Sequence, residues 1–141
     1  GIDTVTIDTV SHTTLLELGD GADRVTVRGA DAGLTVAGQG TGVDQDSLVV
    51  DLSASTTALQ GSLLGDGQEG SLLGFSAGAI DFSDIERLTL ALGTGNDRVT
   101  VRNALAATAV TIDGGQGGDA VDLYEIGTQA TTINGDDGDD T

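Results

Sequence analysis

The residues best placed to do chemistry in this chain are acidic groups that close short glycine-rich turns. Leu18-Gly-Asp-Gly-Ala-Asp-Arg-Val-Thr-Val-Arg28 nearly coincides with Leu92-Gly-Thr-Gly-Asn-Asp-Arg-Val-Thr-Val-Arg102. Related turns are Gly114-Gly-Gln-Gly-Gly-Asp119 and Gly135-Asp-Asp-Gly-Asp-Asp140, with a fainter copy at Leu64–Glu69 and a looser one at Gly38–Asp46. Glycine allows positive φ and close approach, so such turns aim carbonyl oxygens inward. Aspartate adds hard anionic oxygen, and calcium takes six to eight oxygens in adaptable geometry, whereas magnesium insists on an octahedron and keeps its water. Asp23, Asp46, Asp97, Asp119 and Asp140 are the candidate calcium ligands, with Asp20, Asp66, Asp136 and Asp137 as secondary candidates. The bland reading is a set of ordinary solvated Asp-Gly turns.

Composition narrows the remaining chemistry. Twenty-three acidic residues face five arginines and no lysine, for a net charge of −18. That balance opposes nucleic acid, whose phosphates need basic partners, and anionic membranes; no apolar run is long enough for membrane insertion as a spanning helix. With no cysteine and one histidine, thiolate and imidazole metal sites are excluded. A hydrolase or lyase acting on acidic polysaccharide would need a basic cleft and a general base poised near neutral pH. His12, in a polar corner between Ser11 and Thr13, is a solvated residue on this reading, and no enzyme is expected.

These turns must be positioned by strands. The last acidic residue of each turn, with Asp3 added, forms the series Asp3, Asp23, Asp46, Glu69, Asp97, Asp119, Asp140, at intervals of 20, 23, 23, 28, 22 and 21 residues. After each marker comes an alternating apolar run (Val5/Ile7, Val25/Val27, Leu48/Val50, Val99/Val101, Val121/Leu123), and a second run precedes the next turn (Leu16/Leu18, Leu34/Val36, Leu88/Leu90/Leu92, Val110/Ile112). Period-2 alternation marks half-buried strands, and a fixed internal period marks repeat architecture. The expectation is an all-β parallel β-solenoid over residues 1–141, a single domain of about six coils of roughly 22 residues, with Gly-Asp turns along one edge. Outward residues five places after the marker read Asp8, Arg28, Asp51, which predicts cross-strand charge pairing. The stretch from Glu69 to Asp97 fits worst: Ile80-Asp-Phe82 reads as an extra strand bulging from the stack, with Phe75, Phe82 and Ile85 as either a partner-binding patch or a local hydrophobic cover.

The turns resemble the nonapeptide G-G-x-G-x-D-x-U-x of RTX (haemolysin-type) calcium-binding proteins, as in large bacterial surface adhesins. Gly114–Asp122 matches every specified position, while Leu18–Thr26 and Leu92–Thr100 carry leucine at the first glycine. The resemblance implies bound calcium ions and a secreted, extracellular or cell-surface bacterial protein. Family turns recur every nine residues and these every 22 or so, which places them on one edge only. Gly1-Ile-Asp-Thr4 and Gly138-Asp-Asp-Thr141 are equivalent pieces of one turn, suggesting one unit of a longer tandem array, or copies meeting end to end in a fibre.

The function expected is a calcium-stabilised spacer or adhesive module. Alternatives are a polysaccharide-acting or glycan-binding β-helix domain, with Arg24, Arg28, Arg98 and Arg102 either salt-bridged to neighbouring aspartates or gripping an anionic glycan, and an ice-binding β-solenoid. The turn-tip pairs Asp20/Ala22, Asp66/Gln68, Thr94/Asn96, Gln116/Gly118 and Asp137/Asp139 form no uniform ice-binding array, although Thr35, Thr89, Thr111 and Thr132 read as an outward row on the second sheet.

Overall fold

The computed structural model describes residues 1–39 and 44–141, without the side chains of Asn103 and Ala104. The turn at Gly38–Asp46 therefore lies partly outside the described residues. Alternating valine, leucine and isoleucine put one face of each segment in the core, and the described residues form strands and turns with no helix. The strands are β1 (Thr4–Ile7), β2 (Thr14–Glu17), β3 (Arg24–Val27), β4 (Leu34–Ala37), β5 (Ser47–Asp51), β6 (Gln60–Gly67) and β7 (Glu69–Leu73), followed by β8 (Ile80–Ser83), β9 (Arg87–Ala91), β10 (Arg98–Leu105), β11 (Ala109–Asp113), β12 (Ala120–Glu125) and β13 (Thr131–Asn134).

Two sheets result. One is wholly parallel, in the order β1-β3-β5-β9-β11-β13; the other is mixed, in the order β12-β10-β6-β7-β8-β4-β2. Their inward residues, among them Val25, Val27, Leu48, Val50, Leu88, Leu90, Val99, Val101, Val110 and Ile112, form one buried cluster. Fully burying each such side chain is worth about 1.5–3 kcal/mol.

The expected fold is corrected by this topology. The chain is all-β, but it is not a single parallel stack of equal coils, because β7 runs antiparallel to both β6 and β8. Elsewhere each stretch between two Gly-Asp turns visits two sheets. The stretch from Asp46 to Asp97 crosses between them twice, from β5 in the parallel sheet to β6-β7-β8 in the mixed one and back to β9 in the parallel one. Consequently β3 and β5, which follow such turns, lie in the parallel sheet, whereas β10 and β12 lie in the mixed one. The turns thus occupy two edges rather than one: Leu18–Asp23 leads from the mixed to the parallel sheet, and Leu92–Asp97 and Gly114–Asp119 lead the opposite way.

The fainter turn copy at Leu64–Glu69 is the tip of the β6/β7 hairpin, with Gly67 at φ 66°. Ile80-Asp-Phe82 is the extra strand β8, seated within the mixed sheet rather than bulging from it. Phe75, Ile80, Phe82 and Ile85 are all buried in the common core, so the cover reading holds for them. The Phe82 ring lies where a side chain on Gly70 would have to go, which explains glycine at that strand position. The predicted charge ladder is present: Arg28 Nη1 lies 2.8 Å from Asp8 and its Nε 3.8 Å from Asp51. The threonine row is corrected. Thr89 and Thr111 pair with each other and Thr111 with Thr132 in the parallel sheet, but Thr35 belongs to the mixed one.

Candidate metal centres

Each turn delivers an acidic residue to the first position before a strand, where its backbone N–H points along the stack with no carbonyl opposite. The next layer's carboxylate takes that hydrogen. On one edge Asp3 N donates to Asp23 Oδ1 (2.6 Å), Asp23 N to Asp46 Oδ1 (2.8 Å) and Asp46 N to Glu86 Oε2 (2.8 Å). On the other, Leu59 N donates to Asp97 Oδ1 (2.6 Å), Asp97 N to Asp119 Oδ1 (2.7 Å) and Asp119 N to Asp140 Oδ1 (2.9 Å). The carbonyls on the same rungs are taken by the strands that follow: Arg24 N donates to Asp3 O and Ala120 N to Asp97 O. Charge-assisted bonds of this kind are worth about 1.5–3 kcal/mol each.

Only one oxygen of each carboxylate is used. Asp23, Asp46, Asp97 and Asp119 are buried, and Oδ2 of all four has no hydrogen-bond partner. A buried carboxylate oxygen without a donor is costly, and it is answered by a proton, a water or a cation. Burial pushes the Asp46 and Asp119 carboxyls above their ordinary value. The N–H bond from Asp23 or Asp97 opposes that rise, and neighbouring carboxylates add to it.

Glycines leave room beside the orphaned oxygens. A Cβ on Gly114 would stand 2.6 Å from Asp119 Oδ2, 2.9 Å from Gly135 O and 3.3 Å from Asn134 O. Three oxygens therefore converge on one small hollow. On the opposite edge there is no such hollow: a Cβ on Gly38 would stand 1.9 Å from Asp84 O and 2.7 Å from Asp46 Oδ2, so the Asp84 backbone packs directly against Gly38. Calcium sits about 2.3–2.6 Å from its oxygens, and the oxygens gathered beside Asp119 Oδ2 suit it in chemistry. Among the described residues no three Asp, Glu or His side chains gather at one point. Backbone carbonyls and water would have to complete any shell.

The turns differ in how they reach this geometry. Gly19 and Gly21 have φ of 83° and 134°, and Gly115 and Gly117 have 90° and 133°, so those two turns share a backbone shape. In the last turn Asp136 takes the first of these positions at φ 63°, which aspartate tolerates better than most residues. Gly93 and Gly95 are outside the positive-φ set despite the near-identical sequence. They serve instead to let Ser55 and the backbone around Ala58 approach.

The remaining candidates are scattered. Asp140 ends the second ladder and is exposed. Asp20 is exposed at a turn tip, and Asp66 sits on β6 opposite Glu69, away from both ladders. Asp136 Oδ2 accepts from Gly115 N at 3.4 Å, and Asp137 joins the preceding turn only through its backbone. Asp23 and Asp46 thus lie on one edge, and Asp97, Asp119 and Asp140 on the other. Sequence reasoning missed Glu86, which is the true rung above Asp46. No glycine turn precedes it, and its one signal was an acid directly before the Leu88/Leu90 alternation. His12 is exposed beside Ser11 Oγ at 3.1 Å. The chain matches no protein-family model, no curated protein and no solved structure.

Proposed function

We propose that this chain is a calcium-stabilised structural or adhesive module that works outside a bacterial cell. The observation carrying the reading is the set of four buried carboxylates, each with one oxygen committed to the neighbouring layer and the other without a partner. Successive layers lie about 4.8 Å apart, and at an effective dielectric near 20 two ionised rungs repel by about 3 kcal/mol. Natural domains are stable by only about 5–15 kcal/mol, so uncompensated ladders would cost much of that. A divalent cation in the Gly114 hollow would both coordinate Asp119 Oδ2 and neutralise its neighbours. Extracellular fluid is where calcium is abundant, and the resemblance of Gly114–Asp122 to RTX turns points the same way.

Melting followed by circular dichroism, with calcium and then with excess chelator, tests the proposal. Calcium is expected to raise the melting temperature, and chelation to lower it reversibly. A melting curve indifferent to both would sink it. One observation favours ice binding as a second reading. Thr6, Thr26, Val49, Thr89, Thr111 and Thr132 occupy one register rank across the parallel sheet. Charged Arg24, Arg28, Arg87 and Asp51 flank that rank, which disfavours a flat water-ordering surface. Measuring thermal hysteresis separates the two readings.

A further inference from the structure

The β6-β7-β8 insertion turns its apolar side inward, and its outward side builds something the calcium reading does not use. A shallow groove of about 620 Å³ crosses the outer face of the mixed sheet from Thr35 to Arg102. That volume falls within the roughly 300–1,000 Å³ of small-molecule sites. Its long axis follows one register rung, in which Thr35, Asp81, Ser71, Leu64 and Arg102 stand side by side on β4, β8, β7, β6 and β10. The adjoining rung brings Ser83, Glu69 and Asp66.

Arg102 is the cationic member. Arg28 and Arg98 are paired to aspartates, whereas Arg102, like Arg24 and Arg87, has no carboxylate partner among the described residues, and it is the arginine that lines the groove. Instead its guanidinium lies 4.7 Å from the centroid of the Tyr124 ring, which holds it flat at the end of the groove. Ser71 Oγ donates to Asp81 Oδ1, fixing that carboxylate. The floor is apolar at half-buried Leu64 and at Leu73, which is 39% exposed.

We propose that this groove binds a neutral oligosaccharide, independently of the metal centres. A pyranose offers an apolar C–H face to Leu64 and Leu73. Its hydroxyls both donate and accept, which suits carboxylates at Asp81 and Glu69 together with the fork of Arg102. The three carboxylates Asp66, Glu69 and Asp81 repel polyuronates, nucleic acid and acidic peptides. Strand addition by a peptide is disfavoured as well, because β6, β7 and β8 are paired on both sides and present no free edge.

The test is an amide chemical-shift titration of the calcium-saturated, isotope-labelled chain with cellotetraose, mannotetraose and chitotetraose. Tetragalacturonate and a lysine-rich peptide serve as counter-probes. At least one neutral tetrasaccharide should shift the amides of Leu64, Ser71, Asp81 and Arg102. Arg102→Ala and Glu69→Ala should each weaken it by roughly tenfold, the loss of one charge-assisted hydrogen bond. Tyr124→Ala should also weaken it, and Tyr124→Phe, which keeps the ring under Arg102, should not. All three substituted residues are exposed, so unchanged circular dichroism would certify the fold of each variant. The proposal is overturned if no neutral tetrasaccharide moves these amides, if only the peptide or the uronate does, or if folded variants bind as well as the parent.

Discussion

Asp119→Asn separates the two jobs of a ladder carboxylate. Asparagine keeps an Oδ1 for Asp97 N, now at 2.7 Å, and replaces the orphaned Oδ2 with an amide that can donate toward Gly135 O. It also removes one charge a layer away from Asp97, relieving up to about 3 kcal/mol of repulsion. Burial already disfavours the charged form at this site, so the gain in calcium-free buffer should fall below that ceiling, at about 1–3 kcal/mol. For a chain of this size that is roughly 3–10 °C in melting temperature. With calcium at a hundred times its dissociation constant, the parent gains about 2.7 kcal/mol per occupied site. The variant loses that gain at the Gly114 hollow. The variant should therefore melt higher than the parent in chelator and rise less with calcium, so that its lead shrinks or disappears. Differential scanning calorimetry in the two buffers reads both numbers. A variant that melts lower by the same amount in both would refute the reasoning, because its carboxylate would then be a structural acceptor and nothing more.

Gly114→Ala should fill the oxygen hollow, since its Cβ would stand 2.6 Å from Asp119 Oδ2; calorimetric titration should show one calcium site lost or weakened at least tenfold. Glu86→Ala should unpair Asp46 N and cost about 1–3 kcal/mol by chemical denaturation, with Glu86→Gln restoring most of it. The pH dependence should change sign with calcium. Asp46 and Asp119 titrate above 3.8 in the fold because burial disfavours their charge. Between 3.8 and those raised values the folded chain holds more protons than the unfolded one, so these groups make calcium-free stability fall as pH rises through that window. Asp51, held below 3.8 mainly by the Ser53 hydroxyl, contributes stability that is lost only as pH falls below 3.8. Melting temperatures without calcium should thus be higher in mild acid than at neutrality, and with calcium should drop on acidification as protons displace the ion. Phe82→Ala should cost about 3–5 kcal/mol, as it empties the space against Gly70.

Much of this was readable from one dimension. Alternation at Val25/Val27, Leu48/Val50 and Val110/Ile112 located buried faces, and the turn spacing singled out the four aspartates that end up buried. Charge alternation at Asp8, Arg28 and Asp51 gave the correct neighbours. Sidedness was not readable. Period-2 patterning says which residues face in, but nothing in Gly65-Asp-Gly67 distinguishes a hairpin tip from a turn between sheets. That one ambiguity moved every later turn to the opposite edge, because the Asp46–Asp97 stretch goes out to the mixed sheet and returns to the parallel one instead of ending in the mixed one. Pairings such as Gln60 with Arg98 and Leu34 with Ile80 skip over the insertion and leave no local mark. Glu86 escaped notice for the same reason, as its partner Asp46 lies 40 residues away. The groove escaped because its residues come from five strands that only the sheet order brings together.

The central claim is that the unpartnered Oδ2 atoms are calcium ligands. A crystal structure of the chain grown with calcium, with anomalous scattering recorded, addresses that atom by atom. The account predicts anomalous peaks about 2.3–2.6 Å from Oδ2 of Asp119 and of Asp46, the first of them beside Gly114. Peaks confined to exposed acids such as Asp20 or Asp137, with Oδ2 of the buried aspartates bonded to water or protonated, would contradict it.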